Sequence, residues 1–210
     1  MITQKDKLTK ETKHSTVRKK GKLHIITGCM FTEKSFELIQ TANELEKQDK
    51  DFLAFSPIKD VIKSRALEET VPAHWVDKDQ PYLLLYHVGG YVGKHGQVDT
   101  VLIDEVQFYG DSILNIINTL LGQGINIVAA GLDQNFKNEP FGIMKDLLCL
   151  AYDIKKKHTT CAVCGNDEAS VSQRLLNGNP APFDGPMIII DKTIGEYTYE
   201  PRCVDCFEKA

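Results

Sequence analysis

Residues 23–56 narrow the possible folds of this chain more than any other stretch. They read LHIIT, GCMFTEKS, a helical segment and FLAFS. Residues 23–27 are a short β-branched run ending at Gly28, the pattern of a buried strand. From Lys34 to about Gln48, Leu38, Ile39, Ala42 and Leu45 fall on one helical face with charges opposite. Residues 52–56 are a second apolar run. Strand, glycine-led loop, helix and strand form the βαβ pattern of a parallel sheet.

The loop itself has the length and ends of a phosphate-binding loop, G-x-x-x-x-G-K-[ST]. Such loops aim successive backbone N–H groups and a helix N-terminus at phosphate oxygens. A lysine adds a point charge and a hydroxyl holds Mg²⁺. Here Gly28, Cys29, Met30, Phe31, Thr32, Glu33, Lys34 and Ser35 would form that cradle. Glu33 stands where the second glycine belongs. Glycine there allows unusual dihedrals and close approach. An ionised carboxylate ~5 Å from a phosphate, at an effective dielectric of ~20, costs about 3 kcal/mol.

A second element supports the loop. VDTVLIDE, residues 98–105, is an apolar run ending in Asp104 and Glu105. In open α/β sheets ligands bind at the C-terminal strand edge. Asp104 is in position to hold Mg²⁺ and Glu105, facing the other way, to act as a general base. Further along, residues 57–80 read as irregular, and YLLLY precedes a glycine-rich stretch. Residues 111–122 read as a helix, 125–131 as a buried strand, 140–152 as a helix and about 152–157 as a last strand.

Four of the six cysteines form two C-x-x-C pairs, Cys161/Cys164 and Cys203/Cys206. Four thiolates suffice for a closed, structural Zn²⁺ site. A redox pairing is the weaker reading, because two such sets in one chain suit a metal better. The start has no apolar secretory region, so the thiols point to a reducing compartment, most simply the cytoplasm. No apolar run approaches the ~20 residues needed to cross a bilayer. Residues 1–20 hold seven Lys/Arg against two Asp/Glu, a net +5, so with −4 overall the remainder carries −9. That acidic body argues against nucleic-acid binding, and the basic tail reads as solvated and disordered. The expected organisation is a tail over 1–20, an α/β nucleotide-binding domain over 21–157, and a zinc-bound appendage over 158–210.

From about Lys22 to Ala210 the chain resembles the tetrameric, zinc-containing thymidine kinases of animal cytosol, many bacteria and large DNA viruses. GCMF-x-x-KS resembles their GPMFSGKS, and DEVQFY their DE-x-QFF. GLDQNFKNEPFG, SQRL and YEPRCVDC resemble GLD-x-x-F-x-x-x-PFG, TQRL and Y-x-x-x-C-x-x-C. The resemblance implies a P-loop-type parallel sheet flanked by helices, with a small zinc-ribbon-like domain carrying a long lasso loop. It implies ATP and thymidine as substrates, DNA precursor synthesis as the role, and a homotetramer. Lys34, Ser35, Asp104 and Gln107 would serve ATP and Mg²⁺, and Arg65 would approach the phosphates. Glu105 would take the proton from the 5′-hydroxyl. Phe108 and Phe136 would flank the thymine, Met30, Leu132 and Ser172 would shape its pocket, and Tyr199 would contact the nucleoside from the closing loop. Lys63 stands where the family has an aspartate. The alternative reading is an impaired homologue that binds nucleoside or nucleotide without turnover, because of Glu33.

Overall fold

A computed structural model describes residues 19–64, 68–189 and 197–209. The expected contact of Arg65 and most of the basic tail lie outside these residues. The chain builds a six-stranded sheet in which every pairing is parallel. In chain order its strands are β1 (Leu23–Thr27), β2 (Phe52–Ser56), β5 (His74–Trp75), β6 (Thr100–Ile103), β7 (Asn126–Gly131) and β8 (Asp153–Lys156). Their spatial order is β5-β2-β6-β7-β1-β8. Between β2 and β5, the strands β3 (Val61–Lys63) and β4 (Thr70–Pro72) pair antiparallel as a separate hairpin.

The alternation of side chains along each central strand sorts the core into two layers, as the period of two requires. Ile26, Ala54, Leu102 and Ala130 face one side, where Leu38, Ile39 and Ala42 of helix α1 (Lys34–Lys47) and Ile62 and Val71 of the hairpin cover them. Leu23, Ile25, Leu53, Phe55, Val101, Ile103, Ile127 and Ala129 face the other. That side is closed by α2 (Leu83–His95), α3 (Ile113–Gly122) and α4 (Met144–Leu150). Each fully buried Leu or Ile contributes roughly 1.5–3 kcal/mol of transfer free energy. Because successive residues serve opposite layers, a one-residue slip of any central strand would send each set to the wrong layer.

Three local readings change. The glycine-rich stretch after YLLLY is the body of α2, because Leu84 and Val88, one turn apart, bury on the sheet. Its glycines Gly89, Gly90 and Gly93 face open space, where helix packing does not need a side chain. Residues 57–80 are not wholly irregular, since they carry β3, β4 and β5. The helix expected from residue 140 starts at Met144. Gly142 adopts φ 50 with its Cα pressed towards the Gln107 carbonyl, a conformation that cannot extend a right-handed helix.

A second, antiparallel sheet of β9 (Val171–Leu176), β10 (Asn179–Pro180) and β11 (Tyr197–Arg202) follows, in the order β10-β9-β11. It is joined to the loop after β1 by Met30, whose backbone N–H donates to Ser172 Oγ at 2.9 Å. No helix among the described residues is long and apolar enough to cross a membrane.

Candidate functional site

The C-terminal ends of β1, β6 and β7 converge on a cavity of about 540 Å³. At one end lie Met30, Phe31, Glu33, Lys34 and Ser35, on the loop after β1 and the first turn of α1. Asp104 and Glu105 follow β6 at its centre. At the other end Phe108, Leu132, Phe136, Phe141, Ser172, Arg174 and Tyr199 supply a largely apolar wall. Gly28, Cys29, Thr32 and Gln107 do not line the cavity but support residues that do.

The loop after β1 bends through several positive-φ residues. Gly28 has φ 139, and a Cβ there would meet the Lys157 carbonyl oxygen at 2.3 Å, so glycine is required. Phe31 (φ 67) and Glu33 (φ 58, ψ 40) are left-handed without being glycine. Each such residue stores roughly 1–2 kcal/mol. The loop holds against this strain by its own contacts. Thr32 Oγ1 donates to the Cys29 carbonyl at 2.9 Å, and Lys157 Nζ reaches the Glu33 carbonyl at 3.3 Å. The Cys29 thiol is buried, donates to the Ala169 carbonyl at 3.5 Å, and is pushed up to about 11 by that burial.

Glu33 therefore keeps the backbone shape that a glycine would take. Its side chain turns towards the hairpin, where Oε2 accepts from the buried Ser64 Oγ at 3.3 Å. Lys34 is folded back, with Nζ donating to the Cys29 carbonyl at 2.7 Å and to Thr32 Oγ1 at 3.4 Å. Burial lowers its pKa, and the nearby Glu105 carboxylate opposes that shift. Ser35 Oγ donates to the Asp104 carboxylate at 3.1 and 3.3 Å. Burial first, and then the charge of Glu105, push Asp104 up to about 7.

Glu105 is itself left-handed, at φ 51 and ψ 41, and leads into the short turn Val106–Phe108 that carries Gln107. Gln107 fixes its carboxylate. The amide Nε2 donates to Glu105 Oε2 at 2.6 Å, while Oε1 accepts from the Leu132 N–H at 3.1 Å. One buried amide thus ties the end of β6 to the end of β7. Gly131 makes this possible, since a Cβ there would lie 2.6 Å from Gln107 Oε1. Phe108 meets Phe141 edge-on at 5.7 Å, and Phe136 meets Phe183 edge-on at 5.9 Å.

Arg174 was missed by sequence reasoning. It is only 2% exposed, and its guanidinium lies 3.5 Å from the centroid of the Phe136 ring. The signal available was its place in SQRL, three residues past the start of β9, but nothing in the local sequence places an aromatic face beside it.

The four paired cysteines meet at the base of the second sheet. All four Sγ atoms lie within 4.8 Å of one another. Sulfurs bound at ~2.3 Å around a tetrahedral Zn²⁺ would sit ~3.8 Å apart. Cys164 Sγ and Cys203 Sγ are 3.8 Å apart. The Cys203 N–H donates to Cys161 Sγ at 3.3 Å, the kind of backbone contact that favours a thiolate. The N–H of Cys164, ahead of other contacts, draws the Cys161 thiol down to about 6. The hydrogen bond with the Cys203 thiol, chiefly, pushes Cys206 up to about 12. Packed thiols that compete for protons in this way fit a divalent soft cation, and the set is consistent with zinc.

Comparison with known proteins adds an independent finding. The family model described as thymidine kinase matches residues 21–207. The thymidine kinase of Mycoplasma mycoides subsp. mycoides SC is 36% identical over 194 residues, covering 90% of each chain. That of Mycoplasma capricolum subsp. capricolum is 37% identical over 194 residues, again covering 90% of each.

Proposed function

The chain belongs to the thymidine kinase family, and on that premise we propose how its own residues move the γ-phosphate of ATP to the 5′-hydroxyl of thymidine. The observation that carries the reading is the cavity itself. It joins a phosphate loop, two acids on one strand end and an aromatic wall within about 540 Å³. That is room for a nucleoside and a phosphate tail end to end.

The loop from Gly28 to Ser35 receives the ATP phosphates. Lys34 exchanges its carbonyl and hydroxyl partners for phosphate oxygens, a trade favoured by its partial desolvation. Ser35 and Asp104 form an oxygen donor set that fits the Mg²⁺ of the nucleotide. That ion, held there by Ser35 and Asp104, would supply positive charge to offset the charge that develops on the transferred group. Glu105 accepts the proton of the 5′-hydroxyl. With Oε2 engaged by Gln107, the other oxygen is left for the substrate, so the amide acts by orientation. A primary alcohol is a weak nucleophile near neutral pH, and phosphoryl transfer depends mainly on such positioning. Met30, Phe108, Leu132, Phe136, Ser172 and Tyr199 receive the nucleoside against a flat apolar surface. Residues 21–157 act as the nucleotide-binding unit, with 158–210 as the zinc-bound lasso, and the working assembly is a homotetramer.

Glu33 is compatible with turnover on this account, because its carboxylate is directed to Ser64 on the hairpin. The test is coupled ADP release by the native chain with thymidine, compared with uridine and with no acceptor. Thymidine-dependent release supports the assignment. Release without acceptor dependence would make the protein an ATPase, and no release with any nucleoside would favour a binding homologue.

A further inference from the structure

We propose that Arg174 is a positioning residue that builds the nucleoside end of the cavity by clamping the segment after β10, residues 181–189, onto β9 and Phe136. The proposal rests on the kinase reading for its kinetic consequence, but its geometry stands alone. Arg174 is among the largest fully buried side chains of the protein. A buried charge needs partners for its donors, or it loses more in desolvation than it gains. None of the hydrogen-bond partners of Arg174 among the described residues is a carboxylate. Nε donates to the Tyr199 hydroxyl at 2.8 Å, Nη1 to the Pro186 carbonyl at 2.5 Å and Nη2 to the Met187 carbonyl at 2.8 Å. Its charge is met by ring faces instead. Phe136 lies at 3.5 Å, Tyr199 at 5.3 Å and Tyr197 at 5.9 Å, each measured to the ring centroid.

These contacts have one consequence together. The two carbonyls belong to the segment after β10, whose Met187 lines the cavity. Tyr199 lies directly across the strand pair from Arg174. One planar fork thus joins three separate pieces of the nucleoside wall: residues 181–189, β11 and the Phe136 loop. Lysine cannot reproduce this, since a single ammonium has neither the fork nor the flat face. The hydroxyl of Tyr199 serves Arg174, so Tyr199 acts on the nucleoside through its ring.

The test compares the native zinc-loaded protein with Arg174→Lys and Tyr199→Phe. Arg174→Lys should raise the thymidine KM about 10-fold or more, with the ATP KM changed less than about twofold and kcat within about threefold, the pattern of lost binding at one end only. Tyr199→Phe, which keeps the ring and loses one acceptor, should raise the thymidine KM about 2- to 10-fold. In parallel, amide hydrogen exchange over residues 181–189 should quicken in Arg174→Lys, while exchange over residues 23–56 stays unchanged. Unchanged exchange over 181–189 would overturn the clamp. Quickened exchange with an unchanged thymidine KM, or an equal rise in both KM values, would overturn its role at the nucleoside end. If the native chain shows no thymidine turnover, the kinase reading fails, and the exchange comparison still decides the clamp. Should Arg174→Lys fail to fold, Tyr199→Phe carries the same comparison.

Discussion

Replacing Glu33 separates two effects that the residue combines: a left-handed backbone and a charge beside the phosphate loop. At φ 58 and ψ 40 a residue with a Cβ stores roughly 1–2 kcal/mol that glycine does not. Glu33→Gly recovers that strain but adds roughly 0.5–1 kcal/mol of unfolded-chain entropy. It also loses the Ser64 contact at 3.3 Å, a long hydrogen bond at the low end of about 0.5–1.5 kcal/mol. These terms nearly cancel, so stability should change by less than about 1 kcal/mol, or about 2–4 °C in Tm for a chain of this size. The charge does not cancel. A carboxylate about 6–8 Å from a phosphate, at an effective dielectric of about 20–40, opposes binding by about 1–3 kcal/mol. Glu33→Gly should therefore lower the Kd for ATP about 5- to 100-fold at low salt, with the gain shrinking as ionic strength rises. Glu33→Gln keeps the backbone strain and removes the charge, so it should give most of the same gain. The assay is isothermal titration with ATP at two salt concentrations, beside thermal unfolding. Equal ATP affinity in all three proteins would refute the argument, since the carboxylate would then lie outside the field of the phosphates. A gain in Glu33→Gly alone would transfer the effect from charge to backbone.

The remaining predictions concern the metal and the paired acids. Cys203→Ser, or strong chelation of the native protein, should release about one Zn²⁺ per chain and lower Tm markedly, because four thiolates close the site and its binding energy is folding energy; retention of Tm after complete zinc loss would contradict this. In metal- and nucleotide-free protein, Asp104 is raised to about 7 from an ordinary 3.8, chiefly by burial. The folded state therefore holds a proton that the unfolded chain releases, so this contribution is full below about pH 4 and is lost as pH rises through about 7. Asp104→Asn should accordingly raise Tm at pH 8 and leave it nearly unchanged at pH 4; an equal effect at both would show that charge is not the cause.

Much of the fold was legible because its strongest signals are local. The β-branched run before Gly28, the face of Leu38, Ile39 and Ala42, and the apolar run into Asp104 each declare one element without help from elsewhere. The two C-x-x-C pairs likewise declare a ligand set by spacing alone. What escaped depends on contacts distant in sequence. The α2 glycines show only as a glycine-rich stretch, because nothing in the local text says that Leu84 and Val88 have a sheet to bury against. Gln107 reads as a ligand, yet its amide joins Glu105 to Leu132, 25 residues further on. Arg174 shows only as one letter of SQRL until Phe136, Pro186 and Met187 are brought around it. Glu33 reads as a charge set against the phosphates, and only the left-handed dihedrals and Ser64 reveal where its side chain points.

The most direct test of the account follows the phosphate itself. Native protein and Glu105→Gln would be incubated with γ-labelled ATP and thymidine, and the label traced to thymidine 5′-monophosphate. The account predicts efficient transfer by the native chain, and a rate lower by about 10²- to 10⁴-fold in Glu105→Gln with ATP binding retained. Label transfer that is equal in the two proteins would contradict the role given to Glu105. Absence of labelled thymidine monophosphate from the native chain would contradict the account as a whole.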